Sequence, residues 1–148
     1  MSQRRFCTFY ADGLLLGIAI ERVEEVLRDE AITPVPLADP AIAGLVNLRG
    51  QIVTAIDARR RLGLTARSDT SAPTIVVIRT NEEAVSLLVD RAGDVVEVDD
   101  DGLVAVPVTV AATIRALTTG AYGLAGDLML VLDTDQTLAI TSGEEDTQ

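Results

Sequence analysis

The sequence predicts an all-β protein built from two small five-stranded antiparallel β-barrels packed against each other, with few short helices. Three observations carry this. The chain repeats itself: Ile18-Ala19-Ile20 recurs as Leu88-Val89-Asp90 and Pro36 as Pro107, at separations of 70 and 71, and Gly50 to Asp57 recurs as Gly126 to Asp133 at a separation of 76. Each unit also holds about five short apolar runs, spaced too closely for crossover helices, so neighbouring strands should be antiparallel. Finally, 148 residues with 48% hydrophobic content suffice for one domain or two very small ones with a real core. A barrel of this size fills with its own side chains, which leaves the groove between the units and their outer strands as binding surfaces.

Each element has a local reason. Phe6 to Tyr10, the turn Ala11-Asp12-Gly13 and Leu14 to Ile20 form a hairpin pattern. In Glu21 to Leu27 the apolar residues at 23, 26 and 27 fit a helical turn and fit equally a turn running into a strand. Ile32 to Pro36 is extended, because a proline pushes the preceding residue out of the α region. Asp39-Pro40 suits a short helix, capped by Asp39 and ended by Gly44. Asp57 can cap Ala58 to Leu62, with Arg59, Arg60 and Arg61 as a solvated helix end before Gly63. The small and polar Thr65 to Pro73 is the linker candidate. The second unit then runs through Ile75 to Ile78, the turn Asn81-Glu82-Glu83, Val85 to Val89 and the acidic Asp94 to Val98. Gly120 to Gly126, with a glycine every third residue, reads as a flexible connection to the last hairpin.

Gly44 to Asp57 is the most informative stretch. Leu45, Val46 and Leu48 precede a tight corner at Arg49 to Gln51, and Ile52, Val53, Ala55 and Ile56 follow it, so Asn47 and Arg49 stand at a hairpin tip. A five-donor guanidinium on a rigid turn suits forked hydrogen bonding to a partner carboxylate or to backbone carbonyls. The alternative is that Asn47 and Gly50 only shape the turn and Arg49 is solvated.

Composition narrows the function. A net charge of -11 argues against binding nucleic acid or inserting into an anionic membrane. The absence of histidine rules out Ser-His-Asp and Cys-His catalysis and a phosphohistidine relay in this chain. The lone Cys7 sits in an apolar run, as a core thiol in a reducing compartment would. No segment resembles a signal peptide, and Gly102 to Gly126, the longest weakly charged stretch, is interrupted by Pro107 and Arg115. Asp99-Asp100-Asp101-Gly102 lacks the alternating ligands and closing glutamate of a calcium loop, and Glu144-Glu145-Asp146 (within residues 144–148) is an acidic tail. The sharpest enzymatic alternative is the Asp-x-Asp-x-Thr run at Asp133, Asp135 and Thr137, which resembles the haloacid-dehalogenase-type phosphatase signature, with Asp133 as nucleophile and Asp135 as acid/base beside magnesium. That fold needs a parallel sheet continuing well beyond the motif, and only 11 residues follow Thr137. No cofactor or metal is expected.

The hairpin Gly13 to Ile20, Val23-x-Glu25-Val26, Thr33-Pro34-Val35-Pro36, Gly44 to Gly50 with its Asn-Leu-Arg-Gly, Ile56-Asp57-Ala58-Arg59 and Leu88-Val89-Asp90 together resemble a stand-alone CheW-type coupling protein over Phe6 to Ile140. Leu16 and Ala58 depart from the residues common there, and both positions concern packing. The resemblance implies one domain over 1–143 made of two SH3-like subdomains, roughly 6–66 and 73–140, with strands open to exchange between them. It implies a cytoplasmic adaptor without chemistry of its own, recruited to membrane-associated receptor arrays, that joins the cytoplasmic tip of chemoreceptors to the regulatory domain of a CheA-type histidine kinase. By positional match, Val23, Glu25, Val26, Leu48, Arg49 and Ile75 fall on the receptor side, and Val104, Pro107 and Thr109 on the kinase side. The resemblance leaves open self-association in array rings, a flagellar, pilus or other output, and a CheW-like regulator that contacts only the kinase.

Overall fold

The computed structural model describes residues 2–28, 30–36, 38–65, 72–81 and 83–139. Most of the linker candidate 65–73 and the acidic tail 144–148 therefore lie outside the described residues. Among the described residues, ten strands and three one-turn helices follow one another: β1 (Gln3–Ala11), β2 (Leu14–Ala19), β3 (Val23–Arg28), β4 (Ile42–Leu48), β5 (Gln51–Asp57), α1 (Ala58–Arg61), β6 (Thr74–Arg79), β7 (Ala84–Val89), β8 (Arg91–Asp99), α2 (Ala112–Arg115), β9 (Thr118–Leu124), β10 (Asp127–Leu132) and α3 (Thr134–Thr137). The ambiguous segment after β2 is a single 3-10 turn, Ile20–Arg22, that runs into strand β3.

Two five-stranded sheets result, ordered β8-β1-β2-β10-β9 and β3-β6-β7-β5-β4. If the strands of each sequence repeat are counted from one to five, each sheet takes the first two from one repeat and the last three from the other. Neighbours are antiparallel except at β2 with β10 and β5 with β7, which run parallel. Strands of the two repeats meet at four pairs, none joined by a hairpin turn: β1 with β8 and β3 with β6 are antiparallel, and β2 with β10 and β5 with β7 are parallel.

Each sheet curls until its edges nearly meet. Thr33, just beyond β3, exchanges two backbone hydrogen bonds of 2.9 and 2.8 Å with Leu45 of β4. Val104, beyond β8, does the same with Ala121 of β9, at 2.8 Å in both directions. A glycine permits each approach. A Cβ on Gly44 would stand 2.2 Å from the Thr33 carbonyl oxygen, and one on Gly120 would stand 2.9 Å from that of Val104. The glycine-rich 120–126 segment is thus largely strand β9 rather than a flexible connection, with Gly120 as a packing requirement. Asp39-Pro40 forms a turn instead of a helix: Asp39 accepts from Ala41 N through its carboxylate and from Ile42 N through its carbonyl, both at 2.8 Å, and the chain then enters β4.

Burial separates three apolar clusters. Val46, Leu48, Val53, Ala55, Ile75, Val77 and Leu88 fill the β3-β6-β7-β5-β4 barrel. Phe6, Leu15, Tyr122, Met129 and Val131 fill the other. The largest cluster lies between them, drawing Phe9, Leu16 and Ile18 from one sheet and Ile56, Val76, Ile78 and Leu87 from the other. Strict alternation explains the split: along β6, Ile75 and Val77 turn into their own barrel while Val76 and Ile78 turn out to the shared layer. Leu16 and Ala58, the two departures from the common pattern, are both buried in that shared layer. Cys7 packs at its margin, where burial pushes the thiol above its usual pKa.

Two outcomes follow. Gly44→Ala should lower stability by about 2 kcal/mol or more in urea unfolding, because the clash is with backbone that cannot yield cheaply. Tyr122 is 2% exposed and its hydroxyl meets no protein acceptor, so Tyr122→Phe should leave the unfolding midpoint unchanged or raise it, by up to about 1 kcal/mol; a clear loss would reveal a buried water bonded to that hydroxyl.

Candidate functional site

The hairpin tip forms because β4 and β5 are joined by only two residues, Arg49 and Gly50, with Leu48 paired to Gln51. Both have positive φ, 53° and 89°, as the hairpin-favoured type I′ turn requires. Asn47 secures the corner by accepting a hydrogen bond from Gly50 N at 2.9 Å through its side-chain oxygen. The turn holds Arg49 away from the barrel wall, and its side chain is 73% exposed.

Arg49 is not simply solvated. Its guanidinium forks onto Glu25 of β3, with Nη1 donating to Oε1 at 3.2 Å and Nη2 to Oε2. β3 and β4 are opposite edges of the sheet, so this ion pair spans the closing seam of the barrel. Val26 stands next to Glu25 and is 43% exposed. Val23 is half-buried against the shared core, at the bulge where β3 shifts register on β6. Leu48 and Ile75 are buried inside the barrel beneath this surface. Of the six residues matched to the receptor side, the structure thus gathers Glu25, Val26 and Arg49 at the surface, with Val23 at the margin and Leu48 and Ile75 as support. Val104, Pro107 and Thr109 are exposed on the other sheet's closing segment, where Val110 N donates to the Pro107 carbonyl at 3.0 Å. Beside them lies Val108, 85% exposed, which the sequence analysis did not single out.

The three arginines of α1 are a correction to the sequence reading. Rather than fraying into water, Arg59 forks onto Asp90, with Nε donating to Oδ1 at 3.0 Å and Nη2 to Oδ2 at 2.7 Å, and it also donates to the Thr65 carbonyl at 2.9 Å. Hydrogen bonding to Asp90 raises the Arg59 pKa above its ordinary value; burial opposes the rise, and the charges of Asp90, Asp12 and Asp57 add to it. Asp90 also accepts from Asp12 N, at 2.8 Å, in the β1-β2 turn. The cluster therefore ties one sheet's hairpin to the other sheet's helix. Arg61 donates to the carbonyls of Thr137 at 2.9 Å and Gln136 at 2.8 Å, and Arg60 reaches that of Pro40 at 3.2 Å.

The phosphatase-like residues are likewise occupied. Asp133 caps α3, accepting from Gln136 N at 3.1 Å, as Asp57 caps α1. Asp135 pairs with Arg22 and accepts from Asn81 at 3.4 Å. Strand β10 lies between a parallel and an antiparallel neighbour at the turn into a four-residue helix, and the open parallel sheet that the signature needs is not what surrounds it. Among the described residues, no three His, Cys, Asp or Glu side chains gather as metal ligands, and no helix is long and apolar enough to cross a membrane.

A rigid turn presenting a forked ion pair beside exposed apolar side chains, on a pair of filled barrels, defines a protein-binding scaffold. The chain belongs to the CheW-like domain family, whose model matches residues 5–141. It is 30% identical over 103 residues to the chemotaxis protein CheW of Bacillus subtilis (strain 168), a match spanning 70% of this chain and 66% of that protein. It is 28% identical over 118 residues to that of Rhizobium meliloti (strain 1021), spanning 80% and 76%. Its fold is shared with the crystal structure of the scaffolding protein TtCheW from Thermoanaerobacter tengcongensis, with a TM-score of 0.85 at 24% identity over 97% of this chain and 98% of that one.

If the Arg59–Asp90 fork joins the sheets, Arg59→Met should cost about 2 kcal/mol in urea unfolding, and a double-mutant cycle with Asp90→Leu should give a coupling energy above about 1 kcal/mol. A coupling near zero would mean that the pair merely fills space.

Proposed function

We propose that this protein is a chemotaxis adaptor that couples the cytoplasmic tip of chemoreceptors to the regulatory domain of a CheA-type histidine kinase. Family membership supports the adaptor role. One observation supports the coupling: the two sets of candidate contact residues lie on different sheets, Glu25, Val26 and Arg49 on one and Val104, Pro107 and Thr109 on the other. A bridge between two partners needs two separate faces on one rigid body, and the shared core supplies the rigidity.

On this reading the chain up to its acidic tail works as one domain, in the cytoplasm, and is recruited to receptor arrays by its partners. Receptor binding is a helix-on-barrel contact: Val26 provides an apolar anchor, and the Arg49–Glu25 fork provides oriented polar groups at its rim. Leu48 and Ile75 hold that surface from below. The kinase side uses the exposed closing segment of the other barrel. Self-association in array rings would draw on the same barrel edges.

Arg49→Glu sets two carboxylates against each other at the seam while leaving the core untouched. It should reduce receptor-tip binding at least about tenfold, keep kinase binding within about twofold of wild type, and leave the circular dichroism spectrum unchanged. Titrations of the purified protein against a receptor-tip fragment and, separately, a kinase regulatory domain measure both. A wild-type protein that binds the kinase alone would instead favour a regulator that acts only on the kinase.

A further inference from the structure

Strand β3 carries one residue more than its neighbour can pair. Val23 lies opposite Ile78 and Glu25 opposite Val77, so Glu24 is an extra residue with no partner of its own on the β6 ladder. The bulge reverses the facing of everything after it. Val23 packs toward the layer shared by the two sheets, as Ile78 does. Strict alternation from Val23 would turn Glu25 toward that same apolar layer and Val26 into the barrel. Beyond the bulge the opposite holds: Leu27 pairs with Ile75 and packs with it in the barrel's own cluster, so Glu25, beside the inward Val77, takes the inner face. Val26, paired with the outward Val76, is left 43% exposed. The bulge thus decides both that Glu25 can reach Arg49 across the seam and that Val26 faces outward.

Two arginines fasten it. The Glu24 carboxylate accepts a hydrogen bond from Arg79 Nε, at the end of β6, at 2.6 Å. The Arg79 carbonyl in turn accepts from Arg22 Nε at 2.7 Å, in the 3-10 turn that leads into β3. Arg22 also pairs with Asp135 of α3, so the start of β3 is tied to both sheets. The Arg79 and Glu24 side chains are 54% and 37% exposed. A pair so open to water shifts an equilibrium by a few-fold at most, too little for the fold to depend on it. It is enough to bias where the extra residue sits, and with it where Glu25 is held. Arg49 projects from its turn with Glu25 as its fastening, so any loosening of β3 passes directly to the guanidinium.

We propose that Arg79 is a positioning residue for Arg49: by holding the extra residue Glu24, it sets the bulge that aims Glu25 at the Arg49 guanidinium. The inference deepens the receptor-coupling reading and rests on it wherever receptor binding is the readout. Full-length wild type, Arg79→Gln, Arg49→Gln and the double variant are titrated against a chemoreceptor-tip fragment and against a kinase regulatory domain. Urea unfolding is measured for each, and the Arg49 guanidinium NMR signals are compared between the free wild type and Arg79→Gln. Arg79→Gln should weaken tip binding about threefold, shift the Arg49 signals, and leave kinase binding and the unfolding midpoint unchanged. In the Arg49→Gln background it should have no further effect on tip binding. Exchanging the pair, Glu24→Arg with Arg79→Glu, should restore tip binding to within about twofold of wild type. Tip binding by Arg79→Gln equal to wild type, or Arg49 signals that do not move, overturns the proposal while leaving the coupling reading in place. The same threefold loss in the Arg49→Gln background overturns it too, because Arg79 would then act without Arg49, and so does a fall in the unfolding midpoint. A wild-type chain that binds the kinase domain and ignores the tip overturns the coupling reading, and the Arg49 signals of Arg79→Gln then decide the positioning role by themselves.

Discussion

The layer of apolar side chains between the two sheets belongs to neither alone, and the rest of the structure leans on it. A five-stranded barrel with an interior of five to seven buried apolar residues is a marginal unit by itself. Here the outer faces of β2, β6 and β7 are buried as completely as their inner faces, so each barrel completes the burial of the other. The polar ties at the rim, Arg59 to Asp90 and Arg61 to the end of α3, then orient sheets that hydrophobic burial has already brought together.

Strand exchange makes the dependence covalent as well as energetic. Because β1 and β2 complete a sheet whose other strands come from the far end of the sequence, that sheet cannot form before nearly the whole chain is available, whereas β3 to β7 form theirs from one contiguous stretch. Contacts of such long sequence separation slow folding, but they also stop one barrel from opening independently of the other. For a protein whose candidate contacts sit on two different barrels, this fixes the relative placement of both faces.

The repeat, the strand pattern and the position of the Asn-Leu-Arg-Gly corner were all legible in the sequence, because each is local: alternation, spacing and turn chemistry leave marks within a few residues. What escaped was set by partners distant along the chain. Arg59 to Arg61 looked like a solvated helix end because Asp90 and the α3 carbonyls lie 31 and about 75 residues away. Gly120 looked flexible because the Val104 backbone that demands it belongs to another element. Glu25 was matched by family pattern, and nothing in its own neighbourhood announces Arg49 as its partner.

The backbone at Arg49 carries an implication for how this chain tolerates change. A side chain held at a φ of 53° sits in a left-handed well that costs a non-glycine residue ~1 kcal/mol, and glycine or asparagine would rest there more comfortably. Selection for thermal robustness alone would therefore drift the position toward a smaller residue. On the proposed reading, an arginine there trades durability for recognition, and a laboratory search for tougher variants would tend to erase it before touching the core.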